Sequence, residues 1–292
     1  MPTISILITA YHESTTIGRA IEAIQPQIGE PPAEIVVICP DDETANAASA
    51  YNITLLRDTG QGKPAALNLG LEKAIGQIVV MTDGDVFVGP DALAALLCPF
   101  DDPQTGAVSG RPISLSPRNT MLGYWSHLLT DAGAHAERLL RDQRGDFMVC
   151  SGYLYAIRAG LIDHVPEDAL AEDAVVSHFI GEQGYRIRYA PDAIVSVKYP
   201  TTYRDWLMQR VRSAGGYVQP VIAQSPLHMR SFRHEAIAGT RRALAYARNL
   251  REFVWTILLM LARLHLWLLI FWRVKLRPRP LLDLWKRVES TK

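Results

Sequence analysis

The chain has 292 residues, of which 48% are hydrophobic and 21% are charged, with 20 glycines and 18 prolines. This composition is typical of a globular protein and excludes a disordered, collagen-like or coiled-coil chain. The 3 cysteines are too few and too scattered for a disulfide framework or a zinc ribbon, which favours a reducing, cytosolic setting.

The formal net charge is zero, but the charges are divided unevenly along the chain. Residues 1–200 contain 13 Lys and Arg against 25 Asp and Glu, whereas residues 201–292 contain 17 against 5. The second part is therefore strongly basic and the first strongly acidic. Such an asymmetry predicts an anionic partner for the second part, either membrane lipid or nucleic acid.

Short apolar strands alternate with helices over the first 90 residues. Strands are predicted at 4–10, 34–39, 53–56 and 77–82, and helices at 14–25, 43–50 and 63–75. Strands that are apolar on both faces, joined by short connections, predict an α/β fold with an open, mostly parallel sheet and helices on both faces. Ligands of such sheets bind at the carboxyl ends of the strands. Neither a dinucleotide-binding GxGxxG nor a P-loop follows the first strand.

The pattern is looser after residue 90. Helices are predicted at 119–141 and 172–183, a strand at 149–157 and an extended stretch at 186–197, and the chain is basic and helical from 202. We divide it into an α/β domain at 1–200, a basic helical segment at 201–252, and a hydrophobic helix with a basic tail at 253–292.

Polar motifs follow the predicted strands, where a parallel sheet would bring them together. The first two are TAYHE at 9–13 and DDE at 41–43. A Tyr followed two residues later by a Glu could stack on a base and accept its N–H groups, or the segment is a structural turn. One of the three acids could bind a ribose or base, whereas acids at a helix start also complement the helix dipole.

The next two motifs are GQGKP at 60–64 and TDGDV at 82–86. Glycines and Lys63 at a helix start suit a pyrophosphate, and the alternative is a loop with a solvated lysine. Asp83 and Asp85 are costly to place together without a cation. They predict a divalent ion that bridges diphosphate oxygens, and the alternative is a simple turn.

These motifs, together with AEDAVVSHFIGEQGYRIRYAPDA and QRVRS further on, resemble the family 2 glycosyltransferases of the GT-A fold over roughly residues 3–215. The resemblance implies a nucleotide-sugar donor, a divalent cation (Mg²⁺ or Mn²⁺) at Asp83 and Asp85, and Asp173 as the general base. With Lys63 added from the motif above, the predicted nucleotide- and substrate-binding residues are Thr9, Tyr11, Glu13, Asp41, Lys63, Asp83, Glu172, Gln209 and Arg212.

The sequence departs from the family pattern at two places. The acidic loop reads ICPDDET, so either Asp41 or Asp42 meets the nucleoside, and Ser213 replaces the Trp that is associated with processive synthases. The second departure favours transfer of a single sugar. Helix capping is the alternative role of Glu172 and Asp173, and a solvated helix face is the alternative for Gln209 and Arg212.

Sugar transfer needs a neutralised leaving group and a base for the attacking hydroxyl. The sequence therefore predicts an inverting, metal-dependent enzyme that glycosylates a hydroxyl or phosphate of a lipid, lipid-linked or glycan acceptor. A sugar-1-phosphate nucleotidylyltransferase is a second hypothesis, but no glycine- and arginine-rich loop follows the first strand. A third is an inactive module that tethers a partner to a membrane, against which Asp83, Asp85 and Asp173 all count.

The segment 253–272 is the most hydrophobic of the chain and is long enough to cross a bilayer. Arg263 costs about 2.5–3.5 kcal/mol near the centre of a spanning helix, and His265 adds to this. Basic residues also flank the segment on both sides, which disfavours a clean span. They are Arg241, Arg242, Arg248 and Arg251 before it, and Arg273, Lys275, Arg277 and Arg279 after it.

A helical wheel places polar residues of this region on one stripe. The stripe consists of Arg241, Arg248, Glu252, Thr256 and Arg263. We predict that it faces lipid headgroups, so that residues 241–287 attach the protein in the plane of an anionic membrane at its cytosolic face. A spanning helix and a buried core helix are the alternatives, and a nucleic-acid partner is not expected.

Overall fold

A computed structural model describes residues 2–29, 33–217, 219–229 and 239–272, so the predicted basic tail lies outside the described residues. Its centre is an eight-stranded sheet with the order β3-β2-β1-β4-β7-β6-β8-β5. The strands are β1 Ile4–Thr9, β2 Glu34–Ile38, β3 Thr54–Leu56, β4 Ile78–Asp83, β5 Phe87–Val88, β6 Thr105–Ser114, β7 Leu154–Arg158 and β8 Arg186–Val197.

The sheet has a parallel half and a mixed half. Strands β3, β2, β1 and β4 are all parallel, whereas β7 runs antiparallel to both β4 and β6, and β8 is parallel to β6. The short β5 pairs antiparallel with β8 at the edge. As a result, the carboxyl ends of β1, β4, β6 and β8 and the start of β7 lie at the same edge of the sheet.

Helices cover both faces of the sheet, as the continuous apolar runs predicted. Ile6 and Ile8 of β1 pack into one apolar cluster and Leu7 into another, because successive side chains of a strand point to opposite faces. The helices are α1 Ile17–Ile24, α2 Asp42–Ala48, α3 Lys63–Lys73, α4 Ala92–Leu97, α5 Met121–Leu128, α6 Ala136–Arg144, α7 Glu172–Glu182, α8 Tyr203–Gly216, α9 Pro220–Ala223, α10 Thr240–Tyr246 and α11 Leu250–Phe271.

The helix predicted over 119–141 contains a π-helical segment at Leu129–His135, between α5 and α6. A π turn of this kind shifts the register of the side chains that follow it, and such turns are frequent at functional sites. Here the segment contributes Leu129, Thr130 and Ala134 to the wall of a large cleft.

The hydrophobic helix α11 packs along α5 and α8. Tyr124, Trp125 and Trp206 form a buried cluster with Leu259 and Ala262 of this helix. The indole N–H of Trp125 donates to the Trp255 carbonyl over 2.7 Å. The helix is therefore docked on the domain along its length, and one of its faces is buried.

The prediction that the polar stripe of α11 faces lipid headgroups is wrong at Glu252 and Thr256. Both are buried, with 5% and 0% of their surface exposed. Arg118 donates to both carboxylate oxygens of Glu252, over 2.9 and 3.0 Å, and the hydroxyls of Thr256 and Tyr124 are 2.7 Å apart. These two residues face the domain because Arg118 and Tyr124 satisfy their polar groups there, whereas Arg241 and Arg248 of the stripe are exposed.

Candidate active site

A cleft of about 490 Å³ lies at the carboxyl edge of the sheet. Motifs that are far apart in the chain meet there because strand ends, the start of α7 and one face of α8 all border it. Ten of the residues predicted from sequence line this cleft: Thr9, Tyr11, Glu13, Lys63, Asp83, Asp85, Glu172, Asp173, Gln209 and Arg212.

Asp41, the remaining predicted residue, is not part of this lining and caps α2. Its carboxylate accepts hydrogen bonds from the backbone N–H of Thr44 over 2.9 Å and of His12 over 2.8 Å. Burial alone would raise the pKa of Asp41, but these hydrogen bonds outweigh it and hold the pKa below its usual value. Asp41 thus supports the loop that carries Tyr11 and Glu13.

Asp58 is an acidic group of the cleft that the sequence did not single out. It follows β3, and its position after a strand is the signal that could have identified it. Its carboxylate accepts a hydrogen bond from the Gly60 backbone over 2.7 Å, which fixes the turn before Lys63.

Lys63 is the first residue of α3 and lies at the centre of the cleft. Gly62 precedes it with φ of 111°, a conformation that favours glycine and brings the chain sharply into the helix. The Lys63 ammonium is 2.6 Å from Asp83 and 2.9 Å from Glu172. Burial by itself would lower the pKa of Lys63, but these two carboxylates raise it well above its usual value. The alternative of a solvated lysine is wrong.

Asp83 ends β4, Asp85 follows it, and both line the cleft. The Thr9 hydroxyl donates to Asp83 over 3.0 Å. Burial, and next the charge of Asp83, raise the pKa of Asp85 to about 6, although Lys63 and Arg212 oppose the shift. Lys63 and Arg212 therefore offset only part of the cost of placing two carboxylates together in the cleft.

These two side chains fit a divalent cation. Within the ranges that the structure describes, no group of three or more His, Cys, Asp or Glu side chains could hold a metal ion by itself. Mg²⁺ is usually held by one or two carboxylates with substrate phosphates and water supplying the other oxygens, and Asp83 and Asp85 match that donor set.

Asp173 and Glu172 begin α7 on the opposite side of Lys63. Asp173 accepts hydrogen bonds from the backbone N–H groups of Gly152 and Ala174, each over 2.9 Å. Burial, and next the charge of Glu172, raise the pKa of Asp173 to about 6. The hydrogen bond from Ala174 resembles helix capping, so the start of α7 orients the carboxylate. Its pKa of about 6 lies near neutral pH.

Helix α8 supplies the polar residues of the third wall. Gln209 and Arg212 are half-buried in the cleft, so the alternative of a solvated helix face does not apply. The helix approaches the start of α7 very closely. This closeness requires a glycine at position 216, since a Cβ added there would lie 2.4 Å from the Cβ of Ala171. Two further arginines line the cleft and were not among the predicted binding residues: Arg210 of α8, which lies within the QRVRS motif, and Arg138 of α6, which lies in none of the motifs.

The fold is that of an α/β protein with a cleft lined by charged side chains at the carboxyl ends of its strands. The family described as glycosyltransferase-like family 2 matches residues 2–216, and the chain belongs to this family. The resemblance inferred from the sequence motifs is confirmed.

A curated relative is the poly-beta-1,6-N-acetyl-D-glucosamine synthase of Staphylococcus aureus (strain COL), 28% identical over 224 residues. These residues cover 73% of this chain and 54% of the synthase. The chain thus spans about half the length of the curated relatives it matches.

Solved structures show the same fold. The mannosyltransferase PcManGT from Pyrobaculum calidifontis, in complex with GDP-Man and Mn²⁺, has a TM-score of 0.64 at 23% identity, over 92% of this chain and 84% of that chain. Glucosyl-3-phosphoglycerate synthase from Mycobacterium tuberculosis, with Mn²⁺, UDP and phosphoglyceric acid, has a TM-score of 0.51 at 19% identity, over 75% and 80%. The predicted GT-A fold is confirmed.

Proposed function

We propose that the protein is an inverting, metal-dependent glycosyltransferase. It moves one sugar from a nucleotide-diphosphate sugar to a hydroxyl or phosphate of a lipid, lipid-linked or glycan acceptor. The observation that carries this proposal is the position of Lys63, which joins the Asp83 side of the cleft to the Glu172 side next to Asp173. The structural neighbours solved with GDP-Man or UDP and Mn²⁺ support a nucleotide-sugar donor and a divalent cation.

The donor occupies the half of the cleft formed by the parallel strands. Thr9, Tyr11, Glu13 and Asp58 line its nucleoside end, and the Tyr11 ring is 42% exposed and offers a face for stacking on a base. A divalent cation bound by Asp83 and Asp85 would neutralise the charge of the diphosphate.

Transfer is a single displacement at the anomeric carbon of the donor sugar. The acceptor oxygen forms the new bond, the bond to the diphosphate breaks, and its electron pair leaves with the diphosphate. A hydroxyl acceptor gives its proton to Asp173, and a carboxylate with a pKa of about 6 is ionised at neutral pH. Lys63 and Arg212 stabilise the charge that develops on the leaving group.

We further propose that α11 attaches the protein to the cytosolic face of a membrane. Among the described residues, α11 is the helix that is long and apolar enough to cross a bilayer, with a mean hydropathy of 2.0. Its outer face presents Phe253, Val254, Ile257, Leu258, Leu261, Leu264, Trp267, Leu268, Phe271 and Trp272. Because its inner face is docked on the domain, an orientation in the plane of the headgroup layer is favoured over a span.

Thermal unfolding with UDP, GDP and CDP, each with and without Mn²⁺, tests the proposed function. We expect one nucleotide to raise the Tm, and to do so only when Mn²⁺ is present, because ligands that bind the native state stabilise it. No shift with any nucleotide would overturn the proposal. Turnover of a nucleoside triphosphate with a sugar-1-phosphate would instead support the nucleotidylyltransferase hypothesis.

A further inference from the structure

The two ends of the cleft differ in charge. Glu13, Asp58, Asp83 and Asp85 line the end bordered by the parallel strands, where Lys63 is the cation. The end bordered by α6, α8 and the carboxyl end of β8 is lined instead by the cations Arg138, Lys198 and Arg210, while Arg212 of α8 lies close enough to Asp85 and Glu172 to lower the pKa of both.

Two of these cations act on a pair of tyrosines that line the cleft, the half-buried Tyr153 and the buried Tyr199. The rings of Tyr153 and Tyr199 meet edge to face with centroids 6.1 Å apart. Burial raises the pKa values of Tyr153, Tyr199 and Asp173. The charge of Arg210 opposes this shift at both tyrosines, and the charge of Arg138 opposes it at Tyr199 and Asp173. Arg138 of α6 and Arg210 of α8 therefore line the same cleft and both act electrostatically on Tyr199.

Arg138 is held in place for this role. Its Nε donates to the Val149 carbonyl over 3.0 Å, and it is half-buried. Within the described part of the chain, Arg138 forms no direct ion pair: Glu172 pairs with Lys63, and Asp173, whose pKa Arg138 lowers, accepts from backbone N–H groups. A positioned guanidinium without a direct ion pair is suited to an anionic ligand.

We propose that the acceptor bears a phosphate group, and that Arg138 and Arg210 bind it, with Lys198 at the exposed rim. The inference rests on the proposed function and specifies its acceptor. The group that these residues would recognise is a phosphate ester. It could belong to a water-soluble acceptor or to a lipid headgroup. Leu129, Ala134 and Pro112 line the same end and provide apolar contact for the carbon skeleton beside the phosphate.

Binding to the donor-loaded protein tests this proposal. The full chain is first saturated with Mn²⁺ and the nucleoside diphosphate that stabilises it, so that phosphate cannot bind at the donor end. Calorimetric titration then compares sn-glycerol 1-phosphate with glycerol. We expect saturable binding of the phosphate ester alone, weakened about tenfold or more by Arg138→Gln and by Arg210→Gln, because charge-assisted hydrogen bonds are lost.

A second arm identifies a lipid source of the phosphate. The same loaded proteins are sedimented with phosphatidylcholine vesicles that contain or lack phosphatidic acid. If the phosphate belongs to a lipid, the two substitutions reduce binding only to the vesicles with phosphatidic acid.

Matched controls come from the same helices. Arg144→Gln on α6 and Arg204→Gln on α8 change exposed arginines and leave both arms unaltered. Arg138→Lys retains the charge and restores part of the affinity, which a purely structural role through Val149 does not predict. Equal behaviour of Arg138→Gln and Arg144→Gln in both arms, with nucleotide affinity intact, overturns this inference alone. Loss of nucleotide binding by the wild-type protein would overturn the proposed function itself.

Discussion

Glu172 and Asp173 are adjacent carboxyls whose pKa values shift in opposite directions. Burial raises both, but the Lys63 ammonium contacts Glu172 and brings its pKa below the usual value, whereas the pKa of Asp173 rises to about 6. Environments that separate the pKa values of neighbouring acids are typical of acid–base sites. The two residues thus differ in role. Glu172 holds Lys63 in an ion pair, whereas Asp173 can accept a proton.

We expect Asp173→Asn to leave donor binding intact and to lower the transfer rate to a hydroxyl acceptor by about 10²–10⁴, the effect typical of a lost general base. Because the base must be ionised, the wild-type rate should rise with pH through about 6, and this rise should be missing from the variant. A pH–rate profile measures both effects. Transfer at the wild-type rate would move the base elsewhere, with Glu172 the next candidate.

Asp85→Ala should abolish metal-dependent nucleotide binding while the fold stays intact. The substitution removes a carboxylate that is buried beside Asp83, and so it relieves their repulsion as well as removing a metal ligand. Calorimetry with nucleotide and Mn²⁺ measures the loss. Asp192→Ala changes an exposed carboxylate and serves as the control. Unchanged affinity in Asp85→Ala would contradict the metal assignment.

Among the secondary-structure elements, periodicity predicted β1 to β4 and α7 well and failed for β6. Continuous apolar runs identify buried strands, but β6 contains Gly106, Gly110 and Pro112, so its sequence lacks such a run. The strand predicted at 149–157 begins only at Leu154, because the residues before it form a loop whose Gly152 N–H bonds to Asp173.

The cleft could be predicted only in part. Motifs that follow strands, such as Asp83 and Asp85, could be placed from sequence because parallel strands end at one edge. Arg138 and Arg210 could not, since their positions depend on how α6 and α8 pack. The expectation that Glu252 faces lipid headgroups was wrong for the same reason. Periodicity identifies the polar stripe of a helix, but it does not show which element that stripe packs against.

The docking of α11 depends on the buried pair of Arg118 and Glu252. Glu252→Leu should destabilise the protein by about 3–5 kcal/mol, because it leaves a partly buried guanidinium without its partner. Urea unfolding measures this, and Arg118→Met combined with Glu252→Leu should recover part of the loss. Leu258→Ala, on the outer face of the same helix, is the control and should have little effect. A cost for Glu252→Leu no larger than that of Leu258→Ala would contradict this role.

At the scale of the whole molecule, α11 packs on the rest of the protein through the cluster that contains Tyr124 and Trp125. Removing the chain beyond Arg248 would expose the cluster around Tyr124 and Trp125, so a truncation would not isolate the anchoring role. Substitutions on the outer face can separate membrane contact from folding, because those side chains are exposed to solvent.

We expect the triple variant Leu261→Gln, Leu264→Gln and Leu268→Gln to lose association with anionic liposomes while nucleotide binding is retained. Sedimentation with phosphatidylglycerol vesicles measures the loss, and Ile75→Gln, at a residue 81% exposed on the domain, is the control. High salt should weaken wild-type association, since roughly 1 kcal/mol per basic residue near the surface comes from the surface potential. Resistance to salt and alkaline carbonate would indicate a spanning helix. A wild-type protein that stays in solution without lipid or detergent would contradict membrane attachment.

The contact between Gly216 and Ala171 leaves no room for a side chain between α8 and the start of α7. Arg212 and Asp173 therefore lie on two closely packed elements, and we expect them to keep their relative positions when a ligand enters. On the other side of Lys63 lies the loop over residues 58–62, which leads into α3 and is exposed over 59–61. We expect substitutions in this exposed loop to change the exchange of the proposed donor and its nucleotide more than the bond-making step.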